Sequence, residues 1–427
     1  MKTAISWTLL SSLFAAGSQL LLLFLLARFG DSEQLGIYSL SLLLITISGI
    51  FAESGVTQFY IQRQINTDTQ RSSLFFLSLL SAAVPAIILV IATSLTEPGF
   101  REVLWLAAFI ILLSGSLQVH QAELIKTQRF KALALLDLSW RVPQVLLGVP
   151  LLVLFEANAL ILLILMLIGY SIRAGLLLFA ASLQLQPRIE INLIQQAIRF
   201  GYPLTLANII SLLRAQLDQI IVALVVGISE LGLYSLAKEL ISSTHKLINS
   251  VTTRICFPKI CLTALPLRRL QVTRIAAMLG WLNLAVHVCF SLLLALTYFF
   301  SGQENFKISL VLYMLLAVYS VTRPTGLVNS MYAQSIARTE VELRWNLVSL
   351  INLLPLTVIA LLSKNIFVIA ASVSLIQLVT TCLSFRFFDR HLNSTLSNPL
   401  FIRLWLPVML AAISSLSAVI IWQYYAV

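Results

Sequence analysis

The sequence predicts a polytopic all-α membrane protein with about thirteen spanning helices. Of its 427 residues, 59% are hydrophobic and 11% are charged, and the mean hydropathy is +0.95. A soluble domain carries about 25% charged residues, so this chain has too little polar surface to fold in water. Apolar runs long enough to cross a bilayer recur along the chain, with short turns between them.

Each run of roughly 20 apolar residues is assigned to one span, because a helix of that length crosses the hydrocarbon core. The connecting segments are short, and the longest, near 184–198 and 259–274, hold about fifteen residues. No catalytic domain fits in such loops, which favours a transporter built within the helix bundle over an enzyme. The predicted spans are 4–28, 36–59, 73–95, 102–125, 133–155, 159–183, 200–226, 232–258, 275–300, 307–334, 344–362, 366–385 and 404–425.

Basic residues are concentrated in alternate loops, and this sets the predicted orientation. With a cytoplasmic N-terminus, one set of loops holds 17 of the 28 Lys and Arg residues, and the opposite set holds Arg28, Arg101, Lys307 and Lys364. Cytoplasmic loops of membrane proteins carry such an excess. The net charge of +11 therefore reflects membrane orientation, and we expect no nucleic-acid partner.

An internal repeat relates the two halves of the chain. Residues 35–40 read LGIYSL and residues 231–236 read LGLYSL, an offset of 196 residues and six predicted spans. An even number of spans between the copies gives both halves the same orientation, as in transporters made of parallel repeats. We expect a six-helix lobe over 1–183, a cytoplasmic loop over 184–199, a second six-helix lobe over 200–385, and a cytoplasmic loop with an additional helix over 386–427.

Charged residues occur inside the predicted spans, where each costs roughly 2.5–3.5 kcal/mol at the helix centre. Most must therefore face protein or water rather than lipid. The acidic residues at depth are Glu53, Asp137, Asp218 and Glu239, with Glu123 close to the inner end of the fourth span. The basic ones are Arg141, Arg173, Arg214, Lys238, Lys246, Arg254 and Arg323.

The eighth span gathers polar residues on one side. Glu239, Ser243, Lys246, Ser250 and Arg254 fall within an arc of about 80° at helical spacing, which indicates a wall of an aqueous cavity.

Two i,i+4 pairs, Arg214 with Asp218 and Asp137 with Arg141, are open to a simpler interpretation as structural ion pairs. For Arg214, Lys246 and Arg323 we favour a shared cationic cavity for an anionic substrate. Arg323 precedes Pro324, which removes a backbone hydrogen bond and favours a broken helix there.

Sequence motifs for ATP-driven or metal-dependent chemistry are missing. The chain contains no nucleotide-binding loop, zinc-binding helix or nucleophile elbow. We therefore expect no cofactor, no metal and no catalytic residue. Any energy for transport would come from an ion gradient, the membrane potential or the gradient of the substrate.

Short motifs at the seventh and eighth spans, and at the first two, carry a family resemblance. They are Gly201-Tyr202-Pro203, Asp218, Gly227, Gly232-x-Tyr234 with Ala237, Phe257-Pro258, Ala27-Arg28 and Gly36-x-Tyr38-Ser39-Leu40. In these residues the chain resembles the Wzx-type polysaccharide flippases of the multidrug/oligosaccharidyl-lipid/polysaccharide exporter superfamily. The resemblance covers the layout of roughly residues 1–390.

The resemblance implies two lobes around a cationic cavity in a bacterial cytoplasmic membrane. The implied substrate is a polyprenyl-pyrophosphate-linked oligosaccharide, such as an O-antigen, capsule or exopolysaccharide repeat unit, flipped outward by alternating access. A polysaccharide polymerase and a chain-length protein are the implied partners. The candidates are Arg28, Arg214, Lys246 and Arg323 for the pyrophosphate, Ser242, Asn249 and Ser250 for the glycan, and Asp218 and Glu239 for a coupling proton or sodium ion.

Two other functions remain open from the sequence. A multidrug exporter of the same superfamily would share the two lobes, but it needs carboxylates to hold cationic drugs, and here the charge at depth is net positive. A membrane-embedded glycan polymerase would carry a sizeable outer loop for its sugar substrates, whereas every outer loop here is short.

Overall fold

The computed structural model is helical in every element it describes, which confirms the predicted all-α membrane fold. It describes all residues except 1, 64, 97, 128, 156, 182, 184–185, 187, 252–259, 261–262, 337, 393–397 and 426–427. In the described chain the helices are α1 (Lys2–Phe29), α2 (Ser32–Glu53), α3 (Val56–Gln62), α4 (Asp68–Ala92), α5 (Pro98–Ser116), α6 (Gln118–Lys126), α7 (Phe130–Leu154), α8 (Ala159–Ala181), α9 (Ile191–Val225), α10 (Ile228–Val251), α11 (Leu265–Ser301), α12 (Glu304–Leu315), α13 (Ala317–Ser335), α14 (Thr339–Ser349), α15 (Leu353–Ser363), α16 (Ile366–His391) and α17 (Asn398–Tyr425).

Helices occur at each predicted position, but several predicted spans are divided. The second span is α2 and α3, the fourth is α5 and α6, the tenth is α12 and α13, and the eleventh is α14 and α15. Within the described residues, nine helical stretches are long and apolar enough to cross a membrane, or ten if the bent pair α12–α13 counts as one. Helix α10 falls below this measure because Lys238, Glu239 and Lys246 interrupt its apolar sequence. The count of thirteen spans therefore stays a prediction.

The chain forms two compact units, Met1–Gln216 and Leu217–Val427, and the division falls within α9. In the first unit, α4 packs against α5 and α5 packs against α8. In the second unit, α11 packs against α13 and α13 packs against α16. These contacts join the third span to the fourth and the fourth to the sixth in the first unit, and the ninth to the tenth and the tenth to the twelfth in the second. The two six-helix lobes stay a prediction. The additional helix α17 packs on α11, α12 and α13 of the second unit.

In the first unit, α2 ends at a backbone break that another helix approaches closely. Ser54 and Gly55 both have positive φ angles, 37° and 72°, and these end α2 and begin α3. Gly201 of α9 lies against this break, where an added Cβ atom would come within 2.1 Å of the Ser54 carbonyl oxygen. Glycine is required here because any side chain would push the two backbones apart.

In the second unit, α12 and α13 meet at a bend of 45° around Leu316. Two serine hydroxyls from neighbouring helices donate to backbone carbonyls at this bend. Ser374 Oγ of α16 donates to the Leu315 carbonyl at 2.6 Å, and Ser415 Oγ of α17 donates to the Met314 carbonyl at 3.1 Å. Hydroxyls of this kind satisfy backbone groups at breaks in membrane helices.

Candidate functional site

A buried ion pair between Asp218 and Lys238 lies at the centre of the candidate site. Gly227, with φ +142°, joins α9 to α10 in a tight turn. Asp218 precedes this glycine by about nine residues and Lys238 follows it by about eleven, so the antiparallel helices bring them to the same height. Lys238 Nζ donates to both carboxylate oxygens of Asp218. Lys238 is 2% exposed and Asp218 is 5% exposed, so the pair is shielded from solvent.

Tyr234 completes the hydrogen bonding of the carboxylate. Its hydroxyl donates to Asp218 Oδ2 at 2.6 Å, and its ring is fully buried. Tyr234 and Lys238 stand one helical turn apart on α10, so both reach Asp218 from the same side. A buried ion pair is stable only when its remaining polar atoms are satisfied, and removing one partner typically costs about 3–5 kcal/mol. The three side chains therefore form one hydrogen-bonded group.

Tyr319 of α13 connects this pair to Arg323. Lys238 Nζ lies 5.5 Å from the centroid of the Tyr319 ring, and the Arg323 guanidinium carbon lies 5.4 Å from it. Arg323 also donates to the Tyr319 hydroxyl. Cations near an aromatic face are stabilised by the negative potential of the ring. We call Asp218, Tyr234, Lys238, Tyr319 and Arg323 the lysine cluster.

His245 ties α10 to α13 beside the lysine cluster. Its Nε2 atom lies 2.9 Å from the Ser320 carbonyl oxygen, and its ring centroid is 6.1 Å from that of Tyr319. An Nε2–H that donates to this carbonyl fixes the ring orientation. His245 thus holds the two helices that carry the cluster's cations at a defined spacing.

A second charged group lies farther along α10 and is more open. Lys246 Nζ pairs with Glu239 Oε1 at 3.2 Å, and Ser243 Oγ donates to the same oxygen at 3.2 Å. The Lys246 side chain is 63% exposed. Lys238 and Lys246 are eight residues apart, or about 12 Å along a helix. Helix α10 therefore presents one exposed and one buried amine.

The remaining predicted site residues are distributed more widely. Arg28 ends α1 in the first unit, with its guanidinium 5.9 Å from the centroid of the Phe29 ring. Ser242 is half-buried on α10. Arg214 lies in α9, and Asn249 and Ser250 lie in α10, but their side chains are outside the described part of the structure, as is Arg254 altogether. The lysine cluster thus contains Asp218 and Arg323 from the predicted set.

The expected pairing of Asp137 with Arg141 is wrong. Asp137 Oδ1 instead pairs with Arg173 of α8 at 3.2 Å, and Gln121 accepts from the same guanidinium at 3.3 Å. The Arg141 guanidinium lies 4.3 Å from the centroid of the Trp140 ring. The i,i+4 spacing permits a pair, but a residue on a neighbouring helix can offer a better geometry. Asp218 pairs with Lys238 of the next helix, and its predicted pair with Arg214 stays a prediction because the Arg214 side chain lies outside the described part of the structure.

Sequence reasoning assigned no site role to Lys238, Tyr234 or Tyr319. Each cation of the cluster has a tyrosine four residues before it, Tyr234 before Lys238 and Tyr319 before Arg323. Residues at this spacing lie on one helix face and interact. This repeated spacing of tyrosine and cation was the available signal. The contact between Asp218 and Lys238 has no such signal because it joins two helices.

The chemistry of the lysine cluster suits a phosphate-bearing anion. It offers an amine, a guanidinium and two phenolic hydroxyls against a single carboxylate. Guanidinium and ammonium groups are the usual protein partners of phosphate oxygens. Among the residues that the structure describes, no group of His, Cys, Asp or Glu side chains is arranged to hold a metal ion.

The sequence was compared with known protein families and curated proteins. The family described as polysaccharide biosynthesis protein matches residues 25–271. The amylovoran biosynthesis protein AmsL of Erwinia amylovora is 23% identical over 346 residues, covering 78% of this chain and 88% of that protein. The lipopolysaccharide biosynthesis protein WzxC of Escherichia coli (strain K12) is 22% identical over 423 residues, covering 95% and 84%.

Solved structures share the fold at low sequence identity. The lipid II flippase MurJ in an inward closed conformation aligns with a TM-score of 0.72 and 12% identity, over 96% of this chain and 98% of that one. An inward-facing multidrug resistance MATE family transporter of the MOP superfamily aligns with a TM-score of 0.66 and 14% identity, over 90% and 94%. The arrangement of the helices is therefore that of these transporters.

Proposed function

Because the chain belongs to the polysaccharide biosynthesis protein family, we propose that it flips a polyprenyl-pyrophosphate-linked oligosaccharide across the bacterial cytoplasmic membrane. The name of MurJ as a lipid II flippase and the name of WzxC as a lipopolysaccharide biosynthesis protein support this substrate class. The shared fold supports alternating access, in which a site opens to one side of the membrane at a time.

The lysine cluster is the proposed headgroup site. A pyrophosphate needs several cationic donors at once, because its oxygens lose their water on entering the protein. Lys238 Nζ lies 5.5 Å and the Arg323 guanidinium carbon 5.4 Å from the centroid of the Tyr319 ring, so one phosphate group could be reached by both. This convergence of two cations at one tyrosine is the observation that carries the proposal.

The other candidate residues have supporting roles in this scheme. Exposed Lys246 would meet the headgroup first, before the buried amine of Lys238. Arg28 and Arg214 remain candidates for the pyrophosphate, and Ser242, Asn249 and Ser250 for the glycan. Their hydroxyl and amide groups suit hydroxyl-rich sugars.

Orientation, partners and energy coupling complete the proposal. The charge distribution of the loops supports a cytoplasmic N-terminus. A polymerase and a chain-length protein would act on the flipped repeat unit. For a coupling proton or sodium ion, Asp218 and Glu239 are the candidates, although here each carboxylate already holds a lysine amine.

A multidrug exporter is less well supported by the same geometry. The MATE family transporters share the fold, which is compatible with either substrate. A cationic drug needs a carboxylate that it can reach, but Asp218 is buried and bonded to Lys238 and Tyr234. The cluster therefore favours an anion.

The proposal is tested with purified protein in liposomes that contain a fluorescent polyprenyl pyrophosphate carrying one N-acetylglucosamine. The rate at which the probe changes leaflet is measured by adding a membrane-impermeant quencher. We expect Arg323→Gln to lower this rate by about ten- to a hundredfold, the worth of a charge-assisted hydrogen bond. Arg274→Gln, which changes an exposed arginine of α11, is the control and should leave the rate unchanged. If the Arg323→Gln variant moves the probe as fast as the unmodified protein, the assignment of Arg323 to the headgroup site is wrong.

A further inference from the structure

The lysine cluster raises a question about the empty transporter. Lys238 is held by both oxygens of Asp218, and the carboxylate is held in turn by Tyr234. Each group that a phosphate would use is already engaged by a carboxylate or a tyrosine. Asp218 thus occupies the place that an anionic ligand of Lys238 would take.

We propose that Asp218 is an internal stand-in for the substrate anion, which covers the charge of Lys238 while the transporter is empty. The inference rests on the proposed function, because it needs an anionic headgroup that binds Lys238. When the headgroup arrives, it takes over the amine and Asp218 swings away. When the headgroup leaves, Asp218 returns.

The physical reason lies in the alternating-access cycle. After releasing its substrate, the transporter must change conformation once more without it. A buried cation with no counter-charge is strongly unfavourable, and removing one partner of a buried pair usually costs several kcal/mol in a protein. The Asp218 carboxylate provides the counter-charge for this return step, and the substrate phosphate provides it for the forward step.

Competition between Asp218 and the substrate follows from this arrangement. Both anions bind the same amine, so the free energy that holds Asp218 on Lys238 is subtracted from the affinity for the headgroup. The Tyr234 hydroxyl adds to the strength of the internal pair through its 2.6 Å hydrogen bond to Asp218. Binding is weakened so that release and return are fast.

The second ion pair of α10, between Glu239 and Lys246, is exposed rather than buried. Glu239 and Lys246 are also bonded at 3.2 Å, but the Lys246 side chain is 63% exposed. Water covers the charge of an exposed lysine, and exposed pairs contribute about 0–1 kcal/mol. Lys246 therefore needs no stand-in, and the proposal concerns the buried pair alone.

Two transport modes separate this role from a structural one. Net movement is measured with the fluorescent polyprenyl pyrophosphate N-acetylglucosamine in one leaflet, so that the transporter returns empty. Exchange is measured with the unlabelled lipid in the opposite leaflet, so that it returns loaded. For Asp218→Asn we expect the ratio of exchange to net movement to rise about tenfold or more, because only the empty return leaves Lys238 uncovered.

Tyr234→Phe is the milder second variant and keeps the ion pair in place. We expect it to raise the ratio of exchange to net movement by about two- to tenfold, the range of one hydrogen bond. If the Asp218→Asn protein does not accumulate in the membrane, the Tyr234→Phe variant tests the proposal in its place. A ratio of exchange to net movement that is unchanged in Tyr234→Phe would overturn the proposal.

Asp389→Asn is the matched control, because Asp389 is bonded to Arg269, another buried cation of the second unit. It should change both modes by the same factor, and a ratio shifted as far as in Asp218→Asn would overturn the assignment to Asp218. Equal losses of both modes in Asp218→Asn, or unimpaired net movement, also overturn it. If Asp218→Asn loses only the accumulation of the probe that an ion gradient drives, Asp218 has a role in ion coupling instead of the proposed one. An unmodified protein that moves no probe in either mode refutes the proposed function itself.

Discussion

The two units carry different residues at positions that the internal repeat relates to each other. At the offset of the internal repeat, Asp218 and Lys238 of the second unit correspond to Leu22 and Leu42 of the first. Leu22 is buried and contacts the backbone near Gly148, and Leu42 packs against the group of Ile110, Trp140 and Met166. At these two positions of the repeat the first unit therefore carries apolar side chains and the second carries an ion pair.

The difference teaches that the ion pair is not needed to build a unit. Replacing a buried ion pair by well-packed apolar residues is often neutral or stabilising. The tyrosines at the start of the repeat, Tyr38 and Tyr234, are both buried. At these two positions only the second unit carries a charge pair, and under the proposed function that pair serves transport.

The largest expected effect comes from breaking the pair on one side. Lys238→Met leaves Asp218 buried without its cation, and we expect a loss of about 3–5 kcal/mol in the free energy of unfolding. The double substitution Asp218→Leu with Lys238→Leu copies the first unit and should recover most of that stability while transport stays lost. Both are measured by unfolding in mixed micelles. If the double variant is as unstable as the single one, the two units do not share their packing at this place.

A smaller change in the free energy of unfolding is expected at Gly201, where the backbone of α9 lies close to that of Ser54. Gly201→Ala places a methyl group against the Ser54 carbonyl oxygen, and overpacking of this kind costs about 1–3 kcal/mol. Gly175→Ala in α8 is the control, because no heavy atom lies within 4 Å of the added Cβ atom. The control should be stabilised by about 0.5–1 kcal/mol, since alanine favours the helix. If Gly201→Ala and Gly175→Ala unfold at the same temperature in detergent, α9 does not pack closely against the Ser54 carbonyl oxygen.

The smallest effect is expected for the ion pair of the first unit. The Asp137 side chain is 41% exposed, so its bond to Arg173 is far less buried than that of Asp218 to Lys238. Asp137→Asn should change the free energy of unfolding by no more than about 1 kcal/mol and leave probe movement unchanged. The same liposome assay checks this, with Asp218→Asn as the reference. A transport defect as large as that of Asp218→Asn would place functional charge in both units.

Much of the fold could be predicted from the sequence, because a membrane helix is specified by length and apolarity alone. Each predicted span falls on a helix, and the family predicted from short motifs is confirmed by the match over 25–271. The break predicted at Pro324 is wrong, because α13 runs through this proline and the chain bends at Leu316 instead. The bend at Leu316 and the break at Ser54 lie where other helices supply contacts to the backbone, which the sequence does not show.

The site was harder to predict for a related reason. Hydrophobic patterning shows that a charge such as Lys238 must face protein, but it does not identify the partner. The Asp218–Lys238 contact depends on the height of two helices about the turn at Gly227, which is a tertiary property. Spacing within one helix suggested Arg141 for Asp137, whereas the structure pairs it with Arg173.

The bend between α12 and α13 makes the last helix indispensable. Without α17, the Met314 carbonyl would lose the Ser415 hydroxyl and face hydrocarbon, where an unsatisfied backbone group costs several kcal/mol. A chain cut before Asn398 should therefore straighten or misfold this bend, which lies one turn before Tyr319. Through this bend the last helix influences the position of Tyr319 in the lysine cluster, so truncations meant to simplify the protein should spare it.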